Sequence, residues 1–258
     1  MKTLTEELPI LFNDQMICAI LEGRKSQTRR ISGLEVLNKN PNEWEFVEPS
    51  FSHTHNGVRT SVLLINKKTE ESVFVDCPYG TKRSLLWVRE SWRIGAWNVS
   101  KKSLAFDYRA NDFARKEWIE ISDKTMFERL IQQSQNDAFK AGLSGDQYQW
   151  EPGESPCRWR PSIHMPRVAS RLILEIKNIR VERLVTLSEE DALAEGVEID
   201  SEECDHVRYS CSDIGCLGQT YKSGFAKLWI ELHGQSAWSI NPWVWVIEFE
   251  IWEDELPY

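Results

Sequence analysis

The chain has 258 residues, of which 41% are hydrophobic and 28% charged, and its formal net charge is −9 at pH 7. This length is enough for one large domain or two small ones around a well-buried core. The acidic balance argues against a surface that coats nucleic acid, because such surfaces carry an excess of lysine and arginine. It leaves room for a single nucleotide in a locally basic pocket.

The first residues contain no apolar stretch of the kind found in a secretory signal, and no apolar run elsewhere is long enough to span a bilayer. We therefore expect a cytoplasmic protein without a membrane partner. The six cysteines are then expected in a reducing compartment, as free thiols rather than as a disulfide framework.

The N-terminal part predicts a short helix followed by a basic strand. Apolar residues recur at helical spacing from Met16 to Leu21, and Gly23 is typical of a helix end. The next seven residues contain four cations, and residues 26–31 read as a strand. Strict alternation would place Lys25 and Thr28 on opposite faces, so their convergence requires Lys25 to lie in the turn before the strand.

The middle of the chain is less regular. Residues 32–60 read as loop, because asparagine and proline mark turns there, and residues 61–75 read as a hairpin. An apolar strand is predicted at 85–88, directly before the charged Arg89-Glu90-Ser91-Trp92. Residues 94–157 read as an insertion that contains a strand at 104–108 and a helix from Lys124 to about Leu143, capped by Asp123.

The C-terminal part predicts four further elements. Strands are expected at 171–181 and 242–251, and helices at 187–196 and 225–232. The helix at 187–196 has Ser188 as its N-cap, acids in its first turn and Gly196 at its end. Many short strands with few helices indicate an α+β fold built as a small mixed barrel.

The segment from Gly23 to Arg30 is similar to the Gly-x-Lys-x-x-(Thr/Glu)-x-Arg signature of the ASCH family, a branch of the PUA-like superfamily. Segments 85–92, 160–167 and 241–246 resemble the larger ASCH proteins that bacteriophages and prophages often carry. The resemblance implies a PUA-like mixed β-barrel with short flanking helices. It implies one domain over residues 1–258, with insertions at 94–157 and 198–222, in the cytoplasm of a bacterial host cell.

The resemblance also implies a set of reacting residues. One branch of the family is a bacterial amidohydrolase that removes the acetyl group from the exocyclic amine of acetylcytidine. Its lysine and threonine match Lys25 and Thr28, and its glutamate, which lies in an acidic helix, matches Glu195. No cofactor is required by that chemistry.

Amide hydrolysis needs a nucleophile, a base and stabilisation of the oxyanion. Lys25 would be a suitable base for the Thr28 hydroxyl if burial or nearby cations lowered its pKa. Glu195 would hold Lys25 or carry a proton to the leaving amine. The alternative is that Thr28 is an ordinary strand residue and the cations form a solvated face.

Four further residues are candidates for substrate binding: Arg29, Arg30, Glu90 and Trp92. The arginines are suited to a phosphate or an oxyanion, and Trp92 offers a plane on which a base can stack. The alternative for Glu90 is an ion pair with a nearby arginine, and for Trp92 a place in the core.

The polar segment at 198–222 contains ligand types suited to tetrahedral zinc, namely Cys204, His206, Cys211 and Cys216. Their spacing is not that of a well-defined zinc finger. Structural zinc therefore stays an alternative, and reduced thiols are the expectation.

Taken together, the sequence predicts an ASCH-type protein that recognises a nucleoside or RNA in a basic pocket. The sharper hypothesis is a metal-independent amidohydrolase that deacylates an acetylated cytidine. The alternatives are a non-catalytic module that binds RNA or modified bases, and a ribonuclease.

Overall fold

The structure is a computed structural model that describes residues 7–54, 57–110, 113–114, 117–143, 150–199 and 220–253. It is a mixed α+β structure with three sheets. The strands are β1 (Glu7–Leu11), β2 (Gln27–Arg30), β3 (Trp44–Thr54), β4 (Gly57–Asn66), β5 (Ser72–Asp76), β6 (Leu85–Arg89), β7 (Trp92–Asn98), β8 (Ser103–Tyr108), β9 (Phe113–Ala114), β10 (Ile119–Glu120), β11 (Ile173–Arg183) and β12 (Trp243–Ile251). The helices are α1 (Asp14–Leu21), α2 (Glu35–Asn38), α3 (Lys124–Lys140), α4 (Glu189–Ala194), α5 (Tyr221–His233) and α6 (Gln235–Ser239).

The largest sheet has the strand order β1-β6-β11-β12-β2, and the other two sheets contain β3-β4-β5 and β7 to β10. Strand β12 pairs antiparallel with both β11 and β2, and Ile247 lies opposite Thr28. The described strands form no closed barrel. The α+β class is confirmed, whereas the PUA-like barrel stays a prediction.

The chain divides into two compact units. The first contains Met1–Leu8, Ala19–Leu86 and Ile173–Tyr258, and the second contains Pro9–Cys18 and Trp87–Leu172. The predicted insertion at 94–157 falls entirely within the second unit.

In the first unit, one core cluster forms where α4 and α5 cover β12. Val244 and Val246 of β12 pack with Phe225 and Trp229 of α5, and Ala192 of α4 is fully buried among them. Both sides of β12 are buried over most of its length. Its residues Trp243 and Trp245 belong to the core, and Trp245 has no exposed surface.

In the second unit, α3 packs on the sheet that contains β7 and β8. Phe127, Leu130 and Ile131 of the helix share a core cluster with Ile94 and Phe106 of the strands. All six residues of β8 are buried. Residues of the predicted insertion thus share a hydrophobic core with Trp92, Met165 and Ala169, which lie outside it.

Most predicted elements are confirmed within one to three residues of their expected bounds. They include the apolar strand β6, the helix α3 with Asp123 as its cap, and α4 with its Ser188 cap. The hairpin of β4 and β5 is also confirmed, although β4 begins four residues earlier than predicted, at Gly57. The interpretation of residues 32–60 as loop is wrong, because β3 and the start of β4 pair along this segment.

The physical reason for this error is the exposure of β3. Most residues of Trp44–Thr54 whose burial is described are exposed or half-buried, and Pro49 lies within the strand. The strand is held by its hydrogen-bond ladder with β4 and not by an apolar face. It therefore carries little of the alternation that identifies strands in a sequence.

Among the described residues, no helix combines the length and the apolar character needed to cross a membrane.

Candidate functional site

The site lies in the first unit, where the basic segment meets the end of α4. Gly23 adopts φ of +73° after α1, and the N–H groups of Arg24 and Lys25 both donate to the carbonyl of Ala19. Ser26 N–H then donates to Ala194, so that Lys25 faces Glu195 in a short antiparallel bridge. Lys25 therefore lies before β2 rather than within it, as the sequence argument required.

Lys25 and Glu195 form a buried ion pair. The Lys25 Nζ lies 2.7 Å from Oε2 of Glu195 and 2.8 Å from its backbone oxygen. The Lys25 side chain is 0% exposed and that of Glu195 is 3% exposed. Two residues that are 170 positions apart in sequence are thus in direct contact.

The position of Glu195 follows from the local sequence of α4. The Ser188 hydroxyl accepts from Asp191 N–H at 3.0 Å and begins the helix, and Gly196 at φ of +80° ends it. A Cβ at Gly196 would lie 2.8 Å from Cβ of Lys25. The close approach of the two segments therefore depends on glycine at this position.

Arg29 shares the carboxylate of Glu195. Its Nη1 lies 3.1 Å from Oε1 of Glu195, and its Nη2 lies 2.6 Å from Glu182 and 3.2 Å from Asp191. The Arg29 side chain is 0% exposed. One buried guanidinium thus connects three carboxylates from β11, α4 and the end of α4.

Additional contacts fix the Arg29 guanidinium. Gln27 accepts from Arg29 Nη1 at 2.6 Å and donates to Asp191 at 2.9 Å, and Arg180 also donates to Asp191 at 2.8 Å. The ring of Phe225 lies 5.7 Å from the guanidinium carbon. Sequence reasoning missed Gln27, Glu182 and Asp191. The alternation of β2, which puts Gln27 beside Arg29, was the available signal for the first of these.

The environment of Lys25 lowers its pKa from the usual value of 10.5. Removal of the ammonium group from water is the main cause, and the carboxylate of Glu195 opposes it. The charges of Arg30 and Arg29 lower the pKa further. This combination favours the neutral amine at a lower pH than in an exposed lysine.

Thr28 lies on the opposite face of β2 from Gln27 and Arg29, since neighbouring residues of a strand alternate. It is 2% exposed, and its hydroxyl makes no hydrogen bond with the residues that the structure describes. Arg30 shares the face of Thr28 and acts electrostatically on Lys25. Lys25, Arg29 and Glu195 are in direct contact, whereas Thr28 lies on the opposite face of β2 from Arg29.

Glu90 and Trp92, the other predicted binding residues, make their contacts within the second unit. Glu90 is fully buried and accepts two hydrogen bonds of 2.8 Å from Arg171. Trp92 is 1% exposed and packs against Phe106 with ring centroids 5.8 Å apart. Glu90 is therefore ion-paired and Trp92 is part of the core.

No group of three or more histidine, cysteine, aspartate or glutamate residues that could hold a metal ion occurs in the described part of the chain. The zinc candidates Cys204, His206, Cys211 and Cys216 lie outside the described residues.

Two cavities are distinct from the Lys25 network. One, of about 620 Å³, lies in the first unit between α2 and the β4–β5 turn and includes Lys39, Lys67 and Lys68 in its lining. The other, of about 480 Å³, lies in the second unit. Neither is lined by Lys25 or Glu195.

Comparison of the chain with protein-family models, with curated proteins and with solved structures gives no significant match.

Proposed function

We propose that the chain is an ASCH-type protein that recognises a nucleoside or RNA through the segment from Gly23 to Arg30. In this proposal it hydrolyses an acyl amide on the exocyclic amine of a modified pyrimidine, with acetylcytidine as the test substrate. The reaction uses the side chains of the protein itself: Thr28 as nucleophile, Lys25 as base, and Glu195 as the group that holds Lys25.

One observation carries the proposal: a lysine without solvent exposure, bonded to a carboxylate, whose pKa is lowered. Burial of an ionisable group costs free energy, and strongly perturbed lysines are concentrated at reactive sites. The residue concerned is the lysine of the ASCH-like signature, and its partner is the glutamate that the same resemblance selects.

The proposed reaction begins when neutral Lys25 takes the proton of the Thr28 hydroxyl. Thr28 Oγ attacks the amide carbon, and the tetrahedral oxyanion forms near the guanidinium of Arg30. The C–N bond then breaks, and the leaving amine receives from Lys25 the proton that Lys25 took from Thr28. Water then hydrolyses the threonine ester with Lys25 again as base, which gives acetate and restores the hydroxyl.

The resting contacts define what this mechanism requires. Lys25 Nζ donates a hydrogen bond to Glu195, and there is no hydrogen bond between Lys25 Nζ and the Thr28 hydroxyl. The amine must therefore rotate from the carboxylate towards Thr28 when substrate binds. Positioned proton transfer of this kind contributes about 10²- to 10⁴-fold to a rate.

The test is incubation of the protein with acetylcytidine, followed by chromatography for cytidine and acetate. We expect turnover in the native chain and a fall of about 10²-fold or more in Lys25→Met, Thr28→Ala and Glu195→Gln. Lys124→Ala is the matched control, because this lysine is 76% exposed and forms only an i,i+4 surface pair. Circular dichroism identifies any variant that fails to fold.

A second candidate is a non-catalytic module that binds RNA or a modified base. The engagement of both terminal nitrogens of Arg29 by carboxylates favours it, because such a network also serves as a rigid support. Absence of cytidine release together with saturable binding of RNA or nucleosides would favour this candidate. Shortened RNA without a change of base would favour a ribonuclease instead.

A further inference from the structure

The cavity of the second unit has a composition unlike the rest of this acidic chain. Its walls contain three arginines, a histidine and two tryptophans, and no carboxylate. These residues are Arg129, Arg158, Arg160, His164, Trp92 and Trp159. The volume of about 480 Å³ lies within the range of roughly 300–1,000 Å³ that is typical of small-molecule sites.

The positive charge of this cavity is only partly compensated. Asp137 is paired with Arg160 at 3.0 Å and with Arg158 at 3.5 Å, so one carboxylate serves two guanidinium groups. The side chains of Arg129 and His164 make no hydrogen bond or ion pair with the described residues. The site therefore has an excess of cationic donors over acceptors.

Arg160 is held in a fixed orientation at the base of the cavity. It is 8% exposed, its Nη1 donates to Gln133 at 3.0 Å, and its Nη2 donates to Asp137. Its backbone pairs with Trp92 through two hydrogen bonds, and its guanidinium carbon lies 5.7 Å from the Trp92 ring. A guanidinium that is preorganised in this way loses little entropy when it binds an anion.

Two buried donors in the same wall lack acceptors. Neither Nε of Arg160 nor Nε1 of Trp92 has a hydrogen-bond partner in the described protein. A buried donor without an acceptor is energetically unfavourable, because it has lost its hydrogen bond to water. Both atoms are covered in this structure, so a ligand oxygen reaches them only after the side chains above them move. An oxyanion bound there would offset that cost.

The aromatic component of the cavity is Trp159, which is half-buried. The guanidinium groups of Arg93 and Arg109 lie 4.5 Å and 5.4 Å from its ring centroid. Arg93 is itself neutralised by Asp107 at 3.0 Å. The indole is thus fixed beside the basic wall, where it can contact a planar ring that is attached to an anion.

We propose that this cavity of the second unit binds a nucleoside monophosphate, with its phosphate on Arg129, Arg158 and Arg160 and its base against Trp159. Guanidinium groups match phosphate oxygens in geometry, and an aromatic wall accepts any base. The proposal concerns residues other than those of the proposed hydrolysis and does not rest on it.

The experiment is a calorimetric and tryptophan-fluorescence titration of the full chain with cytidine monophosphate and adenosine monophosphate. Inorganic phosphate and cytidine are titrated separately, to divide the contributions of the anion and the base. We expect both nucleotides to bind, phosphate to bind more weakly, and cytidine to bind weakest. Because these ligands carry no acyl group, the readout is independent of hydrolysis.

The double variant Arg129→Ala/Arg158→Ala tests the location of binding, since both side chains are exposed and neither holds the fold. We expect the dissociation constant for both nucleotides to rise about tenfold or more. The control is Lys124→Ala/Lys140→Ala, which also removes two exposed positive charges. Both lysines lie on α3, the helix that carries Arg129. This control separates the effect of the site from the effect of net charge.

Three outcomes would overturn the proposal. The first is the absence of saturable binding up to about 10 mM nucleotide, because a specific site of this kind has a dissociation constant below that concentration. The second is binding that persists in the double arginine variant and is lost in Lys25→Met, which would place the nucleotide in the first unit. Equal weakening by the arginine and lysine double variants would likewise indicate an unspecific charge effect and overturn it.

Discussion

Lys25 and Glu195 illustrate how a buried ion pair can serve both stability and chemistry. Breaking such a pair by removal of one partner costs about 3–5 kcal/mol, because the other charge stays buried and uncompensated. Glu195 is also bonded to Arg29, so its charge remains partly compensated when Lys25 is replaced. Lys25→Met is therefore the milder variant, because Glu195→Gln replaces the carboxylate that faces Lys25 with a neutral amide, whereas Arg29 keeps its contacts with Glu182 and Asp191.

The lowered pKa of Lys25 predicts a particular dependence of stability on pH. In the folded chain Lys25 releases its proton below 10.5, whereas in the unfolded chain it does so near 10.5. Between these two values the unfolded state binds more protons, so the free energy of unfolding rises with pH. We expect this rise in the native chain and its absence in Lys25→Met, measured by urea unfolding at a series of pH values up to 10.5.

The native chain and Lys25→Met differ at one residue, so the difference between their free energies of unfolding is the quantity of interest. A difference that stays flat with pH would contradict the lowered pKa. If the proposed hydrolysis is observed, kcat/KM should rise with pH over the same window, because only neutral Lys25 accepts the proton of Thr28.

At the scale of elements, the site depends on the contact between the end of α4 and the segment that precedes β2. That contact is made by the Lys25–Glu195 bridge, by Ser26 N–H donating to Ala194, and by Gly196 packed against Lys25 and Ala19. The packing of Gly196 leaves no room for a methyl group. The glycine that ends α4 therefore has a second role beyond its left-handed backbone.

Gly196→Ala tests this second role. A non-glycine residue in the left-handed region costs about 1–2 kcal/mol. The added Cβ would also lie 2.8 Å from Lys25 Cβ and 3.0 Å from Ala19 Cβ, so the loss of stability should exceed that value. Thermal or urea unfolding of the purified variant measures it.

Gly142→Ala is the matched control, because Gly142 has φ of +88° and no atom of the described residues lies within 4 Å of the added Cβ. It should show the backbone cost alone. Equal destabilisation by the two variants would mean that the segments separate easily and that Lys25 is not held by this packing.

At the scale of the whole molecule, the net charge of −9 and the pI near 5.2 set the long-range field. Basic groups are concentrated locally, in the segment from Gly23 to Arg30 and in the cavity of the second unit. Arg29 is surrounded by carboxylates, so it adds little to the field outside the protein. A small anionic ligand can be bound in such a molecule, but a long polyanion meets mostly negative surface.

We therefore expect no sequence-independent binding to duplex DNA at about 0.15 M salt and protein concentrations up to about 10 μM. Gel retardation of a random-sequence duplex measures it, with a basic DNA-binding protein as the positive control. Retardation that weakens steeply with salt would show that the basic groups form a continuous surface, contrary to the charge distribution argued above.

Local signals in the sequence were sufficient for much of the secondary structure. The Ser188 cap, the left-handed Gly23 and Gly196, and the apolar alternation of β12 act over a few residues, and each is found as predicted. Strand β3 was missed, because its stability comes from pairing with β4 and its exposed residues leave no apolar pattern.

The residue types of the candidate site could be selected from the sequence, but their contacts could not. Lys25 and Glu195 were selected through a resemblance to a family signature, and their separation of 2.7 Å is visible only in the fold. The carboxylates of Glu182 and Asp191 gave no sequence signal, since one lies in an ordinary strand and the other fits the acidic start of a helix.

The sequence by itself determined the approximate bounds of α1, α3 and α4, which strands are apolar, and that the chain as a whole is acidic, because these properties depend on neighbouring residues or on composition. Only the tertiary structure decided that Arg29 connects three carboxylates and that Arg160 lies against Trp92. Such contacts join residues separated by tens to hundreds of positions, and their free energy depends on the burial and geometry that the completed fold provides.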